Sequence, residues 1–218
     1  MLINELPSLP EKIKKIASDF SKTIKLPAKK SPQPVAIGPF GPCCVGKTTT
    51  MTCLAKELPV VSINHDKIRL FMRQRGITDT EGNKILYNHL LIVHLAKQYL
   101  NKGYSVILDR DFGTNNKNVL AAADNEMKKL GIKFFLISIK SPSWFIKRKI
   151  QTRKLIPAKN GGIPDRKTAM DCYLYSLKHY KNNYIRLKSR AISTVDTSKP
   201  IPSQLKRIVV FLKKEIGV

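Results

Sequence analysis

The chain has 218 residues, 42% of them hydrophobic and 25% charged, enough for one domain with a small appendage and a core that needs neither disulfides nor a structural metal. These proportions exclude a disordered chain, a collagen-like repeat and a cysteine scaffold, and no apolar run reaches the about 18 residues of a membrane-spanning helix. The net charge of +25 and pI near 10.1 point either to a polyanionic partner or to a compositional excess of lysine.

In chain order, residues 9–25 place Leu9, Ile13, Ile16, Ala17, Phe20 and Ile24 at helical spacing with lysines between them, which predicts an amphipathic helix. Three prolines in 26–34 predict a linker. Residues 35–38 read as a short strand running into a glycine-rich turn, 47–58 as a helix, 60–63 as a buried strand and 66–75 as a helix. A long helix over 80–102 ends at Gly103, a third strand covers 105–108 and closes on Asp109, and a polar turn at 113–116 leads to a helix that ends at Gly131. Residues 134–139 give a fourth strand, after which Ser141 and Pro142 open a helix as N-cap and first position. Gly161 and Gly162 mark a loop, Asp165 caps a helix to about 186, residues 192–195 form a fifth strand and 203–216 a closing helix. Strands alternating with helices predict βαβ units and a parallel sheet covered on both faces. The N-terminus has no secretory apolar stretch, so the expected location is cytoplasmic.

Cys43, Cys44, Cys53 and Cys172 include no Cys-x-x-Cys pair, and His89 and His94 are five apart rather than four, so no structural metal is expected. Thirteen basic residues against two acids lie between Lys147 and Arg190, a density suited to phosphate-bearing partners.

The most specific signal is Gly41-Pro42-Cys43-Cys44-Val45-Gly46-Lys47-Thr48, a P-loop pattern placed after a strand and opening a helix. Its glycines let backbone N–H groups and the helix N-terminus wrap a phosphate. Lys47 then reaches the β- and γ-phosphates of a nucleotide and the Thr48 hydroxyl ligates Mg²⁺, with Thr49 beside it. Cys43 and Cys44, near a helix N-terminus and a lysine, are either reactive thiols of lowered pKa or merely small residues.

A switch GTPase is not expected, since Asp109 is followed by Arg110, Asp111 and Phe112 rather than by the required glycine, and Asn116-Lys117-Asn118-Val119 lacks a terminal Asp. Asp66 instead falls where the carboxyl ends of the strands form a ligand crevice, with Arg69 one turn on. A carboxylate there can take the proton of an attacking hydroxyl, and the arginine can hold a phosphate of the acceptor; a helix N-cap followed by a surface arginine is the alternative. Asp109, at the end of the third strand, is placed to hold Mg²⁺, and Arg110 and Asp111 to line the crevice. Arg148, Lys149 and Arg153 precede the Gly161–Gly162 loop and can close over the phosphates, Arg153 being the preferred one.

These residues resemble P-loop kinases of the zeta-toxin and polynucleotide-kinase type: GPCCVGKTT after a strand, then HDKIR, GYSVILDRDF and KRKIQTR, over roughly 35–185. The stretch 163–180 is similar to the helix after the lid of phage-type polynucleotide kinases. The resemblance implies a three-layer α/β P-loop kinase fold with five parallel strands ordered 2-3-1-4-5, preceded by a helical extension and linker over 1–34, with the kinase domain over 35–218 and a lid at about 148–165. It implies Asp66 as general base, Arg69 as an acceptor contact and Arg153 as a lid contact to the donor phosphates, with Arg148 or Lys149 as its partner. With the P-loop reading, the expected catalytic residues are Asp66, Lys47 and Arg153, the expected acceptor contacts Arg69 and Arg110, and the expected donor and cofactor ATP and Mg²⁺. Thr48 and Asp109 are the expected metal ligands, with residues 41–49, Arg148 and Arg153 around the ATP. Two features depart from the family pattern: Arg148 and Arg153 are five apart rather than four, and Cys43, Cys44 and Val45 replace small Gly/Ser residues. The expected activity is transfer of the γ-phosphoryl group to a hydroxyl, either a nucleic acid 5′-OH or a small molecule such as a nucleotide sugar. A nucleic-acid-binding protein with a regulatory ATP site is the third reading.

Overall fold

In the computed structural model, residues 9–77, 84–112, 117–152 and 165–218 are described. Five strands, β1 (Val35–Phe40), β2 (Val60–Asn64), β3 (Ser105–Asp109), β4 (Lys133–Lys140) and β5 (Ala191–Asp196), pair in parallel in the order β2-β3-β1-β4-β5. The helices described are α1 (Glu11–Ser21), α2 (Lys47–Glu57), α3 (His65–Arg73), α4 (Lys84–Asn101), α5 (Lys117–Lys129), α6 (Ser143–Thr152), α7 (Arg166–Lys188) and α8 (Ile201–Ile216). This is the three-layer α/β architecture and strand order expected from the sequence.

The apolar runs of the strands follow from their burial on both faces. Side chains alternate across a strand, so Ala36, Phe40, Val61, Ile63, Val106, Leu108 and Leu136 join one core with α1, α3, α4 and α5. Val35, Ile37, Val60, Ile107, Ile137 and Ile139 join the other with α2, α6 and α8. Helix α7 contributes to both, with Ala169 and Tyr173 on one side and Tyr180 and Leu187 on the other.

The N-terminal segment is built into this body. Helix α1 buries Ile13, Ile16, Ala17 and Phe20 in the first core, Phe20 meets Phe71 of α3 edge to face with centroids 5.2 Å apart, and Tyr99 of α4 donates to the Ser21 carbonyl. The proline-rich linker is clamped as well: Ser31 N–H donates to Gly103 O at 2.8 Å, Ser31 and Ser105 hydroxyls bond at 2.8 Å, and Val35 N–H donates to Ser105 Oγ at 3.0 Å.

Three local expectations shift. Strand β1 continues through Gly38 and Pro39 to Phe40, and the register with β4 runs from Val35↔Lys133 to Phe40↔Ser138. Proline is tolerated there because the ladder with β3 registers only Ala36 and Ile37, so the N–H that Pro39 lacks is not missed; its carbonyl still accepts from Phe112 N–H. Helix α6 begins at Ser143, and the buried Ser141 hydroxyl has no hydrogen-bond partner among the described residues. Ser141 is therefore not its N-cap: the Pro142 carbonyl accepts the first helical N–H, from Ile146. Helix α3 starts at His65, because Asn64 rather than Asp66 caps it, its side chain accepting from Lys67 N–H at 2.9 Å. Asp165 caps α7 as expected, accepting from Thr168 N–H at 2.7 Å and from the Thr168 hydroxyl at 2.6 Å. Glycines 103 and 131 adopt the positive φ that ends the preceding helices.

Candidate active site

The site lies at the carboxyl ends of β1, β2 and β3, where a parallel sheet opens its ligand crevice. The loop from Gly41 to Gly46 follows β1 and is held in a conformation only certain residues permit. A Cβ on Gly41 would lie 2.3 Å from the Ile139 carbonyl oxygen, backbone that cannot swing away. Cys44 and Gly46 both have positive φ, 61° and 102°, a turn that brings successive N–H groups to one side. Thr197, just past β5, donates to Val45 O and pins the loop from outside. Gly46 sits at the N-cap of α2 with no side-chain capping bond, so the first N–H groups of the helix and its dipole are presented to an anion.

Lys47 turns back over this loop. Its ammonium donates to Gly41 O at 2.8 Å and Pro42 O at 2.7 Å and lies 3.6 Å from Asp111. Thr48 Oγ1 is 3.3 Å from Asp109 Oδ1. The other Asp109 oxygen accepts from Asn64 Nδ2, and Asn64 and Asp109 are register partners of β2 and β3. Asn64 thus uses one amide atom to cap α3 and the other to hold the carboxylate. Asp109 is buried, 7% exposed, and burial pushes its pKa up against the two hydrogen bonds. Both groups bonded to it are neutral, and a hydroxyl beside a buried carboxylate is a donor set of hard oxygens that suits Mg²⁺.

Asp66 stands across the crevice with its side chain 60% exposed. Arg69 Nη2 lies 3.2 Å and His65 Nδ1 3.8 Å from it. His65 beside it, with Arg69 and Lys47 acting through charge, holds the Asp66 carboxyl below its ordinary value although partial burial opposes this, so it is ionised at neutral pH. His65 itself is pushed down by burial and stays neutral there. Burial lowers the Arg110 guanidinium to about 9; it remains charged at neutral pH, with Asp111 as its favourable neighbour and His65 within its field. Asp66, Lys47 and Asp109 also act on one another through charge.

The residues singled out in the sequence separate into two groups. Residues 41–48, Asp66, Arg69, Asp109, Arg110 and Asp111 converge on the crevice. Thr49, on the first turn of α2, is exposed. Arg148 is exposed on α6, whereas its neighbour Lys149 leans over the loop: a Cβ on Gly46 would lie 3.4 Å from Lys149 Nζ. Arg153 and the lid segment 153–164 lie outside the described residues. Asn64, Thr197 and Ser176, whose Oγ accepts from Cys43 N–H at 2.6 Å, were not anticipated. Only Asn64 had a signal in the sequence, as a cap-type residue between a strand and an amphipathic helix.

Among the described residues no group of three or more His, Cys, Asp or Glu forms a metal cluster, and no helix is long and apolar enough to cross a membrane.

A family model described as an AAA domain (AAA_33) matches residues 39–166, more than half of the chain and the whole stretch from the P-loop through α6. The chain belongs to this AAA domain family. Its fold is also that of solved P-loop kinases. A sugar kinase from Janibacter sp. HTCC2649 superposes with TM-score 0.53 at 14% identity, over 83% of this chain and 95% of that one. The APS kinase of Mycobacterium tuberculosis, solved in complex with AMPPNP and APS, gives 0.53 at 12% identity over 84% and 99%. Shikimate kinase from Bacteroides thetaiotaomicron gives 0.50 at 17% identity over 84% and 99%. No curated protein sequence matches the chain. As an AAA domain of P-loop kinase fold, the chain carries its crevice where the P-loop, the second strand and the third strand end together.

Proposed function

We propose that this protein is a phosphotransferase that moves the γ-phosphoryl group of Mg-ATP to a hydroxyl of a phosphate-bearing acceptor. The observation that carries the reading is Asp66: an ionised carboxylate, not used as a helix cap, facing the same crevice as Lys47 and beside a cationic Arg69. A spare carboxylate opposite a phosphate cradle has the chemistry to receive the proton of an attacking hydroxyl.

In this reading the N–H groups of residues 44–48 and the α2 N-terminus bind the donor phosphates. Lys47 exchanges its bonds to Gly41 O and Pro42 O for phosphate oxygens. Lys149 adds positive charge on the β5 side of the loop, with Arg148 and Arg153 as the further cations that the kinase resemblance assigns to the donor. Thr48 and Asp109 would hold Mg²⁺, which when bound shields phosphate charge. Asn64 orients Asp109. Asp66 accepts the hydroxyl proton, and Arg69 and Arg110 hold a phosphate of the acceptor close to it; charge-assisted bonds of this kind are the strong ones.

The net charge of +25 favours a nucleic acid 5′-hydroxyl as the acceptor, as in the polynucleotide-kinase resemblance, because a polyanion gains from every lysine near the crevice. The small-molecule acceptors named for the neighbouring folds, a sugar kinase and an APS kinase, support a second reading in which the acceptor is a phosphorylated metabolite or nucleotide sugar. Labelled γ-phosphate from ATP, offered to a 5′-hydroxyl oligonucleotide and to nucleotide sugars in parallel, separates the two. Label on the oligonucleotide, lost in Lys47→Ala, supports the first; label on a small acceptor alone supports the second. Label on neither, from a protein that binds Mg-ATP, overturns the phosphotransferase reading.

A further inference from the structure

Three of the four cysteines of this chain meet at one point, although one of them is about 130 residues from the others in sequence. Cys43 and Cys44 lie in the P-loop with their sulfurs 3.7 Å apart. Helix α7 crosses the loop with one stripe of residues. Ala169 O faces Cys44 Sγ at 3.9 Å, and Ser176 Oγ accepts from Cys43 N–H at 2.6 Å. Positions 169, 172 and 176 share a helix face, so Cys172 lies between the two contacts. The Cys172 and Cys43 thiols lie near enough for each to feel the other's charge. Cys172 is exposed while Cys43 is partly covered, so the pair opens to solvent through the α7 side.

The two thiols differ in character. The Cys43 thiol is held down to about 6, first by the hydrogen bond from Cys44 and then by the charge of Lys47, against burial and Asp111. Cys172 is pushed up, by burial and then by Cys43 and Asp171. At neutral pH the first is a thiolate and the second a thiol, the pairing of an attacking and a resolving cysteine.

We propose that Cys43 and Cys172 form a reversible disulfide under peroxide, and that this bond ties the P-loop to α7 and weakens nucleotide binding. The Cys43 thiolate attacks one peroxide oxygen, the O–O bond breaks, hydroxide leaves and Cys43 becomes a sulfenic acid. The Cys172 sulfur then attacks the sulfenyl sulfur, the S–OH bond breaks, and the hydroxyl leaves as water with the Cys172 proton. Cys44 is the nearer sulfur but the poorer partner, because adjacent Cα atoms are about 3.8 Å apart, shorter than the about 4.4–6.8 Å that a relaxed disulfide spans. The bond fixes the loop with Lys47 turned onto the Gly41 and Pro42 carbonyls, so a phosphate must compete with a tethered cradle. Coupling between two linked sites is typically on the order of tenfold, and it is reciprocal: bound nucleotide protects the pair by the same factor.

The test treats the full-length protein and Cys172→Ser with hydrogen peroxide, followed by non-reducing peptide mapping and titration with a fluorescent ATP analogue. The expected map shows a Cys43–Cys172 cross-linked peptide in the wild type, suppressed by saturating Mg-ATP and absent in Cys172→Ser. Nucleotide affinity of the oxidised wild type falls on the order of tenfold and returns with dithiothreitol, while that of Cys172→Ser does not acquire the thiol-reversible loss. A Cys43–Cys44 bridge, over-oxidised Cys43 with no bridge, or a bridge that leaves affinity unchanged would each overturn the proposal. If the reduced protein binds no nucleotide at all, the proposed function fails and the claimed effect on nucleotide binding fails with it, while the map still decides whether the disulfide forms.

Discussion

Asn64 offers the most discriminating perturbation, because its two amide atoms do separable work. The oxygen caps α3 by accepting from Lys67 N–H, and the nitrogen donates to the buried carboxylate of Asp109. Loss of an N-cap costs about 1 kcal/mol, and a hydrogen bond to a charged group contributes about 2 kcal/mol. Asn64→Ala, which removes both, is therefore destabilised by about 3 kcal/mol, a fall in Tm of about 9 °C for a chain of this size. Asn64→Ser keeps a competent cap and loses only the bond to Asp109, so it falls by about 2 kcal/mol or about 6 °C. A double-mutant cycle of Asn64→Ser with Asp109→Asn then isolates the pair, with an expected coupling of about 1–2 kcal/mol. Thermal unfolding followed by circular dichroism measures all four proteins. If Asn64→Ser melts with the wild type, or the two substitutions add without coupling, the bond that joins α3 to the carboxylate is not what holds this corner together.

The loop, the acceptor side and the thiol give three further predictions. Gly41→Ala places a Cβ 2.3 Å from the Ile139 carbonyl, so it loses nucleotide binding in a calorimetric titration and is destabilised by about 1–3 kcal/mol; wild-type affinity in that variant would show that the loop has another conformation to use. Arg69→Gln raises the KM for the acceptor by about tenfold or more, the effect of losing one charge-assisted bond, with the Kd for Mg-ATP unchanged; an effect on the donor instead would move Arg69 to the other side of the crevice. Cys43, with its pKa lowered to about 6 by Cys44 and then Lys47, is a thiolate above that pH and is lost as a nucleophile below it. Its alkylation by iodoacetamide rises through pH 6 and levels off above it, and Lys47→Ala shifts the midpoint upward; a midpoint near 9 in the wild type would remove the assigned cause.

The order of strands and helices was legible because its signals are local. Strands buried on both faces carry unbroken apolar runs, the helices between them carry a stripe, and glycines 103 and 131 end theirs with the positive φ that other residues resist. The P-loop was legible for the same reason, since eight consecutive residues carry both its geometry and its chemistry. What failed locally failed through competition between neighbours. Asp66 and Asn64 are both good caps, and only the start of α3 at His65 leaves Asp66 outside the capping position. Ser141 and Pro142 fit the start of α6, but the helix begins one residue later. Contacts that close the site from afar left no trace in the sequence: Ser176 on Cys43, Thr197 on Val45 and Lys149 over Gly46 join segments 100 or more residues apart. A serine or a lysine on a basic helix looks the same whether or not a loop lies beneath it.

In the proposed reaction Asp66 activates a hydroxyl against a phosphoryl group held by the P-loop. Single-turnover transfer from γ-labelled Mg-ATP to the accepted hydroxyl substrate, in the wild type and in Asp66→Asn, tests it most directly. Both proteins are expected to bind Mg-ATP alike while the label moves about 10²–10⁴-fold more slowly in the variant, the range for loss of a general base. Transfer at the wild-type rate by Asp66→Asn would contradict it.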